Sequence, residues 1–394
     1  MSTCYDVFVE PGRAFEILLI LFVVAGVIYT IFSIVCVYRF FPSEPRMPWK
    51  MSGPPVSVLK PLKGKDPELE ENIRSFCLQD YPEYEVLLGF TDHTDEALPV
   101  ARNIVSSEEG CRARIVTSQI QLGPNHKVSN LEGLRLAARN SMLVISDSDM
   151  RVDKYYLGRI MEEYMSHENV GLVTSLYKIT RPASLGAALE SLSLAMDFMP
   201  SVLVARRLEG ITFGLGASML VSKKALDEIG GLSDVAGFIA DDYQIGNRIW
   251  RKGYSVVLSD YVIEDIAGRM SVADHLLHQL RWARTYRASR PKGYMGYGIT
   301  HAFPLSLALI ALYGMSQFFL VLSGGVIVLR YVLAFVIYKK VIEDKKWLRW
   351  LVLLPLRDIL SFFVWALSFL GSRVCWRGQN YRILKGGKIV LEKS

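Results

Sequence analysis

Residues 15–38 hold one charge, Glu16, in the first turn and no other before Arg39. No other stretch limits the fold so strongly. A helix needs about 20 apolar residues to cross the hydrocarbon core of a bilayer, and its backbone polar groups must be bonded within the segment. The stretch predicts a membrane-spanning helix. A cleaved signal peptide fits poorly, because the run exceeds an apolar region of about 7–15 residues and no small-x-small site follows it. Asp6 and Glu10 precede the helix, whereas Arg39, Arg46 and Lys50 follow it. The positive-inside rule then puts the N-terminus outside and the following residues in the cytosol. The composition agrees: 51% of residues are hydrophobic, and the mean hydropathy of +0.24 is high for a wholly soluble chain.

A second apolar region, 299–338, holds only Arg330 as a full charge and is too long for one crossing. Ser323-Gly324-Gly325 reads as a turn between two short spans. Lys339, Lys340, Lys345, Lys346 and Arg349 follow. A last apolar stretch, 348–370, is interrupted by Pro355, Arg357 and Asp358, and a basic tail with Arg373, Arg377, Arg382, Lys385 and Lys388 ends the chain. If every stretch crosses, four crossings return this basic tail to the outside. The Arg357-Asp358 pair makes the last stretch the suspected re-entrant or interfacial one. The expected organisation is a short tail (1–14), a transmembrane helix (15–38), a cytosolic catalytic domain (54–270), an interfacial region (271–298), C-terminal membrane segments (299–371) and a basic tail (372–394).

Five cysteines lie far apart without a CxxC pair, which predicts free packing thiols in a reducing compartment rather than a disulfide framework or a thiolate metal site. The net charge of +6 is modest, and no basic block with interleaved aromatics is present, so nucleic acid is not an expected partner.

Between the membrane segments, strand-like runs at 56–59, 85–91, 114–117 and 142–146 alternate with helical spacing at 67–78 and 95–105. That alternation predicts an α/β domain with a mostly parallel sheet and helices on both faces. Ligands in such sheets bind where strands end, which directs attention to Asp92 and Asp147. No GxGxxG or GxxxxGK[ST] follows a strand, so dinucleotide and P-loop sites are not supported. In Asp147-Ser148-Asp149, two carboxylates one residue apart can reach one Mg²⁺ or Mn²⁺ ion shared with substrate phosphates; the plain alternative is a capped turn. Asp241-Asp242 opens a helix over 242–252, with Gly253 at its C-terminal end. One acid suffices as a cap, which leaves the other free to take a proton. In residues 273–289, Arg281, Arg284 and Arg287 recur every third residue beside His278 and Trp282. They read either as a phosphate clamp or as a solvated or headgroup-facing surface. Residues 184–204 are apolar with sparse charge, and fit an interfacial lipid guide as well as a buried core helix.

These signals, in this order, resemble the ceramide glucosyltransferases and their bacterial relatives, including hopanoid-linked glycosyltransferases. The likeness runs from about residue 58 to 387. It rests on Val58-Leu59-Lys60-Pro61-Leu62-Lys63-Gly64, residues 80–88 (DYPEYEVLL), Asp92-His93, residues 125–131 (NHKVSNL), Asp147-Ser148, residues 239–243 (IADDY), Arg281-Trp282 and Trp376-Arg377. The resemblance implies a GT-A (Rossmann-like) glycosyltransferase domain with three separated acids and a QxxRW-like box. It implies Asp92 at the nucleotide, Asp147 at the metal and diphosphate, Asp242 as the base, and Arg281 and Trp282 near the diphosphate. Lys60 and Asn130 join the implied donor-binding set, Asp149 the metal set, and Asp241 and His278 support them. His278 stands where the family usually has Gln or Arg, and Asp149 completes a DSD where animal ceramide enzymes tend to have DSG. Residues 197–207 and 281–304 look more like the hopanoid branch.

The expected activity is that of a membrane-bound, inverting, metal-dependent transferase. It moves a sugar, first glucose from UDP-glucose, to a lipid hydroxyl, first that of ceramide. The close alternative is N-acetylglucosamine to a hopanoid, and a processive polysaccharide synthase or a non-catalytic transport or assembly subunit stand behind it. The expected location is a bacterial inner membrane, or a Golgi or endoplasmic reticulum membrane, with several crossings.

Overall fold

The structure is a computed structural model and describes residues 11–42, 53–107 and 112–392. Asp6, Glu10, Arg46 and Lys50, which carry much of the charge asymmetry, lie outside the described residues, as do Cys4 and Cys111.

The chain begins with a long helix, α1 (Pro11–Phe40). An α/β unit follows: β1 (Val56–Pro61), α2 (Leu69–Cys77), β2 (Tyr84–Phe90), α3 (Leu98–Ser106), β3 (Ala113–Thr117), α4 (His126–Ala137), β4 (Met142–Ser146), β5 (Met150–Arg151), α5 (Tyr156–Met165) and β6 (Val170–Lys178). Next come α6 (Leu185–Ser193), α7 (Met199–Glu209), β7 (Ser218–Ser222), α8 (Lys223–Glu228), α9 (Asp241–Arg251), β8 (Ser255–Asp265), α10 (Val272–Ser289) and α11 (Pro291–Gly296). The chain ends with three apolar helices, α12 (Ala302–Tyr313), α13 (Gln317–Ile337) and α14 (Leu354–Ser368), and three short strands, β9 (Arg373–Trp376), β10 (Gln379–Ile383) and β11 (Ile389–Leu391).

The eight-stranded sheet has the order β3-β2-β1-β4-β7-β6-β8-β5. β1, β2, β3 and β4 run parallel, as do β6 and β8. β7 is antiparallel to both its neighbours, and β5 is antiparallel to β8, so the sheet is mixed. Side chains alternate between its faces as the pleat requires: Val58, Val86, Val144 and Val173 enter one core, and Leu59, Leu87, Ile145 and Leu172 the other. The second core also takes in Val37 of α1, Phe41 just after it, and Leu333 and Ile337 of α13. The sheet and the apolar helices therefore share one hydrophobic interior.

Among the described residues, five helical runs are long and apolar enough to cross a bilayer: Gly12–Phe40, Leu185–Glu209, Pro291–Tyr313, Gln317–Ile342 and Lys345–Ser368. The second is 89% buried within the protein, against 22–33% for the others. Of the two readings of residues 184–204, the buried helix is the one observed. The expected turn at Ser323-Gly325 is not there, because α13 runs straight through it. The break comes earlier, at Gly314, whose φ of 89° ends α12, and at Ser316, whose hydroxyl accepts from Phe319 N and caps α13. A positive φ strongly favours glycine, whereas glycine inside an apolar helix is tolerated.

Arg357 and Asp358 are buried and joined to Arg330 and Asp197. Arg330 meets Asp358 through Nε and an Nη at 2.8 and 2.7 Å, Arg357 meets Asp358 at 2.9 Å and pairs with Asp197, and Ser361 Oγ donates to Asp197 at 3.0 Å. Two cations and two anions close a neutral set.

The 345–368 run is tied at its start to α6 and at its end to α11. Trp347 Nε1 donates to Ser191 Oγ at 2.8 Å, and Ser368 Oγ bonds Tyr294 Oη at 2.9 Å. The tail does not remain a loose basic segment: β9–β11 form a sheet of their own that packs on Ile239 and bridges Phe238 to Lys388. One cysteine expectation fails. Cys36 and Cys375 are free, but Cys77 is disulfide-bonded. Bridging depends on Cα distance in the fold, which sequence spacing does not reveal.

Candidate active site

A cavity of about 1020 Å³ opens where the strands end. Asp147 follows β4, and the backbone of its loop is held from beneath: Lys60 Nζ donates to the Asp147 carbonyl at 2.7 Å and sits 3.8 Å from the Phe76 ring centroid. Lys60 is fully buried and does not line the cavity. It lies on β1 between β2 and β4, where both sheet faces are covered. Burial lowers its pKa to about 7, against the pull of Asp149.

The Asp147 carboxylate meets Lys127 Nζ at 2.5 Å, and the same ammonium stands 3.9 Å from Asp241. Lys127, at the start of α4, was not singled out from sequence, although it lies within the NHKVSNL stretch. Asn125 caps α4 by accepting from Val128 N and donates to Asp241 Oδ1 at 3.3 Å, tying α4 to the start of α9. Asp149 and Asp242 also face the cavity. The Asp149 carboxyl is pushed up to about 6 by burial, then by Asp147 and Asp66. Asp242 also rises to about 6, by burial first and Asp241 second. Asp241 rises for the same reason, offset by Lys127. Asp265, at the end of β8, lines the cavity, and burial pushes its carboxyl well up. The rule of inspecting acids where strands stop would have found it.

Glycines allow the close approach at Asp242. A Cβ at Gly216 would lie 2.8 Å from Asp242 Oδ2, and one at Gly214 would lie 2.7 Å from the Asp242 carbonyl oxygen.

Asn130 lines the cavity, and its Nδ2 donates to Gly89 O at 2.9 Å. Asp92 is exposed and closes its own turn, accepting from Thr94 N and Oγ1 at 2.8 and 2.7 Å. It does not line the cavity, whereas the preceding Thr91 does. On α10, Arg281, Trp282 and His278 face the cavity. Trp282 lies among His278, Tyr177, Phe198 and Tyr286 at 4.8–6.3 Å between centroids. His278 Nδ1 lies 3.0 Å from Glu190, which also meets His275 at 2.6 Å. Burial lowers the Arg281 pKa while Glu190 raises it. Arg284 and Arg287 do not form a clamp with Arg281: they donate to the carbonyls of Leu370 and Arg373, and of Gly371. Three residues turn a helix by about 300°, so each arginine is offset from the last and only the first faces the cavity.

The residues fit a divalent cation. Asp149 Oδ1 is buried with no hydrogen-bond partner, and Asp147 lies beside it. Among the described residues no group of three or more His, Cys, Asp or Glu side chains is placed to hold a metal. Mg²⁺-type sites are commonly completed by substrate phosphates on one or two carboxylates.

The sequence profile of glycosyl transferase family 21 matches residues 18–389. Ceramide glucosyltransferase 3 of Caenorhabditis elegans is 24% identical over 94% of this chain and 82% of its own length. Ceramide glucosyltransferase 1 of the same animal is 25% identical over 95% and 82%, and the Komagataella phaffii ceramide glucosyltransferase is 21% identical over 95% and 92%. Among solved structures, a mannosyltransferase from Pyrobaculum calidifontis in complex with GDP-Man and Mn²⁺ superposes with a TM-score of 0.52 at 17% identity, over 90% of this chain and 99% of that one. The fold is GT-A-like, and the apolar helices mark a membrane protein. The chain belongs to glycosyl transferase family 21 and is a sugar-transferring enzyme.

Proposed function

We propose that this glycosyltransferase moves glucose from UDP-glucose to a hydroxyl of ceramide, with inversion at the anomeric carbon. One observation carries the reading. The cavity is continuous from Asp147, Asp149, Asp242 and Arg281 at the strand ends to Tyr29 of α1 and Trp365 of α14, among the apolar helices. A polar donor and a lipid acceptor can meet in such a space without either leaving its own phase. The relatives named as ceramide glucosyltransferases support the choice of sugar and acceptor.

The roles follow from charge and position. Asp242 takes the proton of the acceptor hydroxyl, whose oxygen bonds to the anomeric carbon from the face opposite the diphosphate. The bond from that carbon to the phosphate oxygen breaks, and UDP leaves. A single displacement inverts the centre, as in inverting glycosidases. Arg281 presents a planar fork to the leaving diphosphate. Asp147 and Asp149 would hold the divalent cation, which when bound neutralises diphosphate charge; Mn²⁺ in the archaeal mannosyltransferase supports this. Lys127 and Lys60 set the position of Asp147.

For the membrane, we infer three crossings, by α1, by 291–313 and by α13. α14 lies along the face that carries the α/β unit, since the run that leads into it is tied to α6 and its end to α11, where 291–313 begins. Arg39, Lys339 and Lys340 gather at that face and favour the cytosol. The test of function is radiolabel from UDP-glucose, UDP-N-acetylglucosamine and GDP-mannose offered with ceramide or a hopanoid, followed into the organic-extractable fraction. Glucose on ceramide is expected. Transfer only of N-acetylglucosamine to the hopanoid would overturn the assignment.

A further inference from the structure

We propose that Arg377, in the C-terminal hairpin, is a second cation for the donor diphosphate, lining the same cavity as Arg281. This rests on reading the cavity as a nucleotide-sugar site.

The hairpin turn is Arg377-Gly378, with φ of 48° and 77°, between the paired residues Trp376 and Gln379. Two positive φ values in a two-residue loop mark a type I′ turn, for which Asn-Gly is the favoured sequence. An arginine at the first position is uncommon there, and strained positions of this kind point to function. The turn is also far from chain-local constraints: residue 377 lies beyond the apolar helices, yet its side chain lines the same cavity as Asp147 and Asp149.

Its present contacts are those of an anchor that can be exchanged. Arg377 Nη1 donates to Lys63 O at 3.0 Å and lies 3.5 Å from Asp66 Oδ1, with the side chain 46% exposed. Asp66 also accepts from Ser148 Oγ, between the two carboxylates. A guanidinium held by one carbonyl and one long ion-pair contact has donors left for phosphate oxygens. Arg281 lines the same cavity, and two guanidiniums lining one space suit an anion with more than one charged group. The β9–β11 sheet holds the turn in place through the Phe238–Lys388 bridge and the Ile239–Gly387 hydrogen bond at 3.2 Å.

The test compares UDP and UMP binding to the purified full-length protein in lipid nanodiscs with Mn²⁺, by calorimetry. Arg377→Asn creates the preferred I′ turn and removes the cation, so the hairpin is retained. If Arg377 meets the outer phosphate, Arg377→Asn weakens UDP by roughly 10–100-fold, as for a hydrogen bond to a charged group, and leaves UMP nearly unchanged. Equal losses for both nucleotides, or no loss for either, would overturn the proposal and leave Arg377 as a tether. Should Arg377→Asn melt at a much lower temperature, Arg377→Lys decides: a reduced UDP-to-UMP preference supports the contact, and an unchanged one overturns it. A wild-type protein that binds neither nucleotide overturns the donor reading, and the proposal with it.

Discussion

Burial beside Asp241 pushes the Asp242 carboxyl up to about 6, close to the range in which a general base works well at neutral pH. In the proposed role as base the carboxylate is the active form, so kcat/KM should fall as pH drops through about 6. Asp242→Asn should lose roughly 10²–10⁴-fold in turnover while donor binding persists. The linkage has the opposite sign for stability. A carboxyl whose folded pKa is raised makes the folded state bind more protons between about pH 4 and 6. Stability is therefore lost as pH rises through that window, and Asp242→Asn, which cannot ionise, should melt at or above the wild-type temperature at pH 8. Loss of turnover in Asp241→Asn but not in Asp242→Asn would contradict the assignment. Asp147→Ala should abolish metal-dependent donor binding, with chelation by EDTA mimicking it in the wild type; full turnover in EDTA would count against the metal. The carboxylates were legible in the sequence because each stands where an apolar strand or helix begins or ends. Lys127 and Asp66 gain their meaning from partners distant in the chain, whereas Asp265 stands at a strand end that the same rule reaches. Lys60 and Asp92 carried motif likeness, but the first is sealed between strands and the second closes its own turn.

Among the elements, the strands and helices of the α/β unit follow the sequence pattern closely, since period-2 and helical spacings are local properties. The apolar helices are less legible, because hydropathy measures length and not neighbours. Ser323-Gly325 looked like a turn, yet neither Gly324 nor Gly325 takes a positive φ, whereas Gly314 does and ends α12. Arg330, Arg357 and Asp358 looked like obstacles to burial until Asp197 of the α6–α7 connection supplied the missing charge. That set makes a sharp prediction. Removing one member of a buried ion pair costs about 3–5 kcal/mol, whereas replacing a whole pair with apolar groups is often neutral. Asp358→Asn should therefore lower the melting temperature in detergent markedly, and Arg330→Met with Asp358→Leu should recover most of the loss. Equal destabilisation by the single and the double change would show that the pair does more than balance charge.

For the molecule as a whole, the sequence left a conflict between four crossings and a basic tail. The tail sheet packs against the loop before α9, so the chain must return to the side of the α/β unit after an even number of crossings. Two crossings, with α14 lying at the surface, satisfy that and the charge of the tail. An epitope tag at the C-terminus should be reached by antibody in sealed vesicles only where a tag placed after Ser106 is also reached. Access to the two tags from opposite sides would contradict three crossings. The Cys77 bridge runs against the expected reducing compartment, and the same vesicles report which side carries it.

The central claim is that one cavity transfers sugar to a lipid hydroxyl with Asp242 as base. The most direct measurement is mass spectrometry of the lipid product formed by purified protein from UDP-glucose, ceramide and Mn²⁺, beside the same reaction with Asp242→Asn. Hexosylceramide from the wild type and almost none from the variant is the predicted result. Free glucose as the only product of the wild type, or equal hexosylceramide from both proteins, would contradict it.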